Sequence, residues 1–133
     1  MTLARTALLL VASASALGAA GARAQPAQPT VINVVLTDYR FEPKVIELHQ
    51  GQAYILHLTN PSNNRHGLEA KEFFATVDIA DWSKGRVTDG DVEVWPGQWN
   101  DVAVTPNAPG EYPMHSPDTM NQLMGMTGEI VVH

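Results

Sequence analysis

The chain has 133 residues, 44% of them hydrophobic, with no cysteine and a formal net charge of −6. The missing cysteine excludes disulfides, thiol catalysis, iron–sulfur clusters and cysteine-type zinc sites. The acidic balance argues against nucleic acid or anionic lipid as a partner, and the length allows one domain with a modest core.

The first 24 residues have the pattern of a secretion signal. Arg5 supplies positive charge, Ala7 to Gly21 form a weakly apolar run, and Ala22-Arg23-Ala24 gives a small-x-small cleavage pattern. Cleavage is expected between Ala24 and Gln25, which leaves 109 residues. The run is short and diluted by Ser and Gly, whereas a spanning helix needs about 20 strongly apolar residues, so no membrane insertion is expected after cleavage. Two of the eight Lys and Arg and none of the 14 acids leave with the signal, giving a mature charge of −8.

Residues 25–29 form a polar, Pro-containing leader with no periodicity, expected to be disordered. The domain is expected to span 30–133. Short apolar runs follow at Val31 to Leu36, Val45 to Leu48, Ala53 to Thr59, Val92 to Trp95, Trp99 to Thr105, Glu111 to His115 and Thr127 to Val132. Turn dipeptides separate them at Gln50-Gly51, Asn60-Pro61, Pro96-Gly97 and Pro109-Gly110. This spacing predicts an all-β fold, a Greek-key β-sandwich. Between Glu69 and Trp82 the period changes, with Ala70, Phe73, Phe74, Val77 and Ala80 at helical spacing. One short helix is expected there, on a connection between the sheets.

After Met1 all four methionines, Met114, Met120, Met124 and Met126, fall within thirteen consecutive residues that also hold His115. Thioethers are soft ligands suited to Cu(I), and imidazole suits copper in either oxidation state. Methionine also fills irregular gaps, and one or two of the four are expected to do only that. A second group of donors must close such a site. His66 follows the long strand and the polar loop Asn60 to Arg65, which suits it to that role. His57 shares a strand with Tyr54, Leu56 and Leu58 at an offset that puts it on the opposite, wetter face. His49, beside a turn, and the terminal His133 are read as structural or solvent-facing.

Asp78, Asp81, Asp89, Asp91 and Glu93 lack the spacing of a calcium loop and read as a solvated face. Ser116 has no general base beyond neighbouring His115, and no nucleophile elbow is present, so the chain is not expected to be an enzyme.

The order of features resembles the cupredoxins, in particular the bacterial periplasmic cupredoxin-like copper-binding proteins. The matching pieces are Phe41-Glu42-Pro43, Ile46-Glu47-Leu48 with Gly51, Leu58-Thr59-Asn60, His66, Pro96-Gly97, Pro109-Gly110-Glu111-Tyr112 and the run from Gly125 to Val132. The resemblance implies a first ligand from the loop after a central strand, here His66. It implies the remaining ligands, a Cys, a His and a weak axial Met in a blue site, from the loop before the last strand. Met126 is the counterpart of the axial Met.

Counting from Gly110-Glu111-Tyr112, the cysteine position falls on Ser116, preceded by His115. Without a thiolate no blue copper site forms. The loop from Ser116 to Met126 is slightly longer than in short-loop carriers, and offers Thr119 and Met120 where those have a second His. The implied first shell is therefore His66, His115, Met120 and Met126, with Met124 or Met114 as a substitute, a set that favours Cu(I). Strand alternation lets only one of Met114 and His115 face the metal.

The expected function is a periplasmic copper-binding protein that sequesters or delivers copper and works with another periplasmic copper or redox protein. Two alternatives stand beside it: an electron-transfer or metal-oxidation partner, and a metal-free interaction module with the Met loop as its contact surface.

Overall fold

The computed structural model describes residues 26–133 together with Gly18 and Gly21. The expected signal segment 1–24, those two glycines aside, and Gln25 lie outside the described residues. Residues 26–29 are exposed and without regular secondary structure.

Ten strands follow: β1 (Thr30–Thr37), β2 (Arg40–Glu42), β3 (Val45–Leu48), β4 (Tyr54–Thr59), β5 (His66–Glu69), β6 (Val77–Ile79), β7 (Asp91–Val94), β8 (Trp99–Pro106), β9 (Gly110–His115) and β10 (Thr127–Val132). They form two five-stranded sheets, ordered β2-β1-β4-β8-β6 and β3-β10-β9-β5-β7. Two pairings, β1 with β4 and β3 with β10, are parallel, and the others are antiparallel. The all-β sandwich expected from the alternation is the observed architecture.

Each sheet turns one row of side chains inward, as a period of two requires. In β4 the buried row is Tyr54, Leu56 and Leu58, with His57 on the wetter face as its offset predicts. In β10 the inward row is Ile130 and Val132, continued upstream by Met126. The described residues contain no helix long and apolar enough to cross a membrane.

The expected single helix between Glu69 and Trp82 is instead three elements. Glu69 ends β5, helix α1 covers only Lys71–Phe74, and after β6 a 3₁₀ turn runs Asp81–Arg86. Ala70 at the N-cap provides no side-chain cap, so α1 rests on burial of Phe73 and Phe74. Beyond it Val77 and Ile79 pair with the edge of β8, opposite Pro106 and Val104. Stiff β-branched side chains favour that ladder over a continued helix. A second helix, α2 (Thr119–Leu123), was not expected; Asp118 caps it, its carboxylate accepting from Asn121 N at 3.0 Å.

Four connections meet at one end of the sandwich: the β1–β2 turn at Asp38, the β4–β5 loop, the β7–β8 turn, and the β9–β10 segment that contains α2. Asn60, 1% exposed, ties the first loops together. Its Nδ2 donates to Asn64 O (2.7 Å) and Val94 O (2.9 Å), while its Oδ1 accepts from Ser62 N and Oγ. The loop that delivers His66 therefore has a defined shape.

Candidate metal centre

His66 opens β5 opposite Val94, and alternation with Leu68 turns its ring into the sandwich. Its side chain is 0% exposed. Nε2 lies 2.7 Å from Asp38 Oδ1, whereas Nδ1 is buried and has no hydrogen-bond partner. The Asp38 carboxylate also accepts from Asn64 Nδ2 at 3.0 Å through Oδ2. These hydrogen bonds, Asn64's first and His66's second, hold its pKa below the usual carboxylate value. Leaving a buried polar atom unpaired costs about 1–3 kcal/mol, so such an atom calls for a functional explanation.

Ser116 is fully buried and lies against the same end. Its N–H donates to Met126 O at 3.1 Å, and its Oγ accepts from Asp118 N at 3.2 Å and Asn121 Nδ2 at 3.5 Å. His66, Ser116, Pro117 and Asp118 share a cavity of about 200 Å³ with Arg65, Gly67 and Glu93. Met126 is 0% exposed on the inward row, so its thioether belongs to the interior beside Ser116.

Two of the four residues expected to bind metal, His66 and Met126, thus lie in the interior at this end. The other two do not join them. Alternation in β9 buries Met114 opposite Gly128 and turns His115 outward, 35% exposed. There its Nδ1 faces Ser116 O at 2.9 Å, and its Nε2 lies 3.9 Å from Glu69 Oε1. Met120 and Met124 sit on the outside of the α2 turn, 65% and 57% exposed. The helix that places them there is barely more than one turn long, between the Asp118 cap and Gly125, and a loop reading of the segment misses it. Among the described residues no group of three or more His, Cys, Asp or Glu is arranged to hold a metal ion.

The remaining histidines lie away from this end or on its outer face. His57 Nδ1 is 2.5 Å from Asp101 Oδ1 and its ring lies tilted 5.7 Å from that of Trp99, while the His49 and His133 rings lie 5.4 Å apart. Asp91, read as a solvated acid, is instead partly buried, with Oδ1 unpartnered under Gly67 and Pro117. Burial first, then the charges of Glu69 and Glu93, push its carboxyl up to about 6.

Sequence reasoning missed Asp38. It lies 28 residues from His66 on a turn of the opposite sheet, and a lone Asp in a turn carries no signal of its partner.

The donors buried at this end are one imidazole nitrogen and one thioether, with a hydroxyl already engaged where a thiolate would complete a blue site. That set lacks the thiolate of a trigonal blue centre.

Comparison with known proteins agrees with this architecture. The family model described as a cupredoxin-like domain matches residues 4–132. No curated protein matches the chain. Among solved structures it is similar to dithionite-reduced auracyanin from Roseiflexus castenholzii, at 15% identity and a TM-score of 0.58, over 80% of this chain and 99% of that one. Auracyanin A of Chloroflexus aurantiacus, a "blue" copper protein, gives 14% identity and a TM-score of 0.58 over 80% and 100%. A multicopper oxidase of Aquifex aeolicus gives 16% identity and a TM-score of 0.62; the match covers 84% of this chain and 31% of the oxidase. At these identities the likeness is one of fold.

Proposed function

The chain belongs to the cupredoxin-like domain family, and from that premise we propose that it is a periplasmic copper-binding protein that sequesters or delivers copper, with His66 and Met126 as its internal donors. The observation that supports this most is the unpartnered Nδ1 of a fully buried imidazole. A lone pair in that position is wasted in a purely structural histidine and available to a soft metal ion.

Copper supplies the affinity for imidazole and thioether; the residues determine which oxidation state is favoured. One imidazole and one thioether favour Cu(I), which accepts few and soft ligands. Ser116 holds Met126 through its backbone and cannot replace a thiolate. The exposed thioethers Met120 and Met124, one helical turn apart, are suited to exchange a soft ion with a partner before or after it occupies the interior. This arrangement suits a carrier or store better than an electron carrier, which needs both oxidation states held in nearly one geometry.

The test is a competition titration with a chromogenic Cu(I) chelator. Wild type is expected to take up one Cu(I), and the His66→Ala, Met126→Ala double variant to lose most of that affinity. Equal affinity in the two proteins would refute the reading.

A further inference from the structure

We propose that Asp38 is a positioning residue for His66: its carboxylate holds the neutral imidazole in the Nε2–H tautomer and in one ring orientation, so that Nδ1 presents a bare lone pair to a metal ion. The inference rests on the copper reading of His66, because the lone pair matters only if a metal takes it. It adds a residue on the opposite sheet to the machinery of the site.

The tautomer follows from one distance and one absence. Nε2 faces Asp38 Oδ1 at 2.7 Å, and an ionised carboxylate can only accept. A proton on Nε2 satisfies both atoms. A proton on Nδ1 instead would set the Nε2 lone pair against a carboxylate oxygen and leave a buried N–H with no acceptor, since Nδ1 has no partner. An imidazolium would satisfy Asp38 and still leave that donor stranded. Only the neutral Nε2–H form leaves a lone pair, and nothing else, unmet.

The carboxylate is itself held in place. Asn64 Nδ2 donates to Oδ2 at 3.0 Å, so both oxygens are engaged by the loop that delivers His66. Asp38 is 36% exposed and keeps contact with water, while the imidazole it touches is 0% exposed. A partly hydrated charge thus reaches a fully buried ring through one hydrogen bond. That bond makes the ring a stronger donor and fixes its direction, and loss of such a partner to a metal-binding histidine lowers metal affinity about 10–100-fold.

Nitrogen-15 NMR of the imidazoles in the metal-free protein tests the tautomer without any metal. Wild type is expected to show His66 protonated at Nε2 and bare at Nδ1. Asp38→Asn, whose amide oxygen can still accept, is expected to keep that tautomer, whereas Asp38→Ala is expected to show exchange between tautomers. In the chelator titration Asp38→Ala is expected to lose about 10–100-fold in Cu(I) affinity and Asp38→Asn less than about tenfold. A wild-type ring protonated at Nδ1 overturns the proposal even if no variant folds. An Asp38→Ala protein with unchanged tautomer and affinity overturns it as well. Should His66→Ala bind Cu(I) as tightly as wild type, the copper reading fails, and the NMR result still decides whether Asp38 sets the tautomer.

Discussion

Replacing His66 with Leu separates a ligand from a packing residue. In the metal-free protein the substitution removes an unpaired buried nitrogen, which relieves about 1–3 kcal/mol, and forfeits the one hydrogen bond the ring makes, net about 1 kcal/mol. A leucine also suits a position that is 0% exposed on the inward row. The difference is a gain of about 0–2 kcal/mol in metal-free stability. Leu68→Ala, two residues along the same strand and 0% exposed, should lose about 2–5 kcal/mol as a cavity opens. Urea unfolding followed by tryptophan fluorescence distinguishes the two. With Cu(I) at about 100 times its Kd, wild type should gain about 2.7 kcal/mol and His66→Leu nothing. If metal-free His66→Leu loses as much as Leu68→Ala, the imidazole is there for packing and the inference from its unpaired nitrogen is wrong.

Gly128→Ala should destabilise by about 1–3 kcal/mol in the same assay, because its Cβ would overlap the Lys44 carbonyl oxygen and come within 2.6 Å of Met114 Cε. Adding Met114→Ala should not rescue it, since the backbone overlap remains. An acid whose pKa rises on folding, as Asp91's does from 3.8 to about 6, holds its proton more tightly when folded. Its contribution to stability therefore increases as pH falls through 6 toward 3.8. Asp91→Asn should be more stable than wild type at about pH 7.5, by on the order of 1–3 kcal/mol, and equal to it below about pH 4. The Met120→Ala, Met124→Ala double variant should keep its stability within about 0.5 kcal/mol, because both side chains are exposed. It should also keep its equilibrium Cu(I) affinity and release the ion to a chelator more slowly in stopped-flow measurements.

Strands with an inward row of large apolar residues were legible in the sequence. Val45–Leu48 and Thr127–Val132 match to the residue, because both have a buried row bounded by turns. The strands that were missed have no such run. β2 spans three residues and pairs only with the end of β1. β5 begins at His66 and contains a glycine that Pro117 packs against. β6 lies inside a stretch whose spacing also fits a helix, and only the free edge of β8 decides between the two. Among the candidate ligands, His66 and Met126 are the two that lie buried at one end, and both sit in local patterns, a histidine after a strand and a Gly-Met-Thr-Gly ending. His115 and Met120 were misplaced for different reasons: strand parity turns one outward, and a capped helix carries the other to the surface. The contact of Asp38 with His66 was invisible because it depends on two sheets meeting at one end.

X-ray absorption at the copper edge of the Cu(I)-loaded protein reads the donors around the metal. Wild type is expected to show one imidazole nitrogen and at least one sulfur bound to copper, with the imidazole lost in His66→Ala and the internal sulfur lost in Met126→Ala. A set of donors that is unchanged in both variants would contradict the assignment of His66 and Met126.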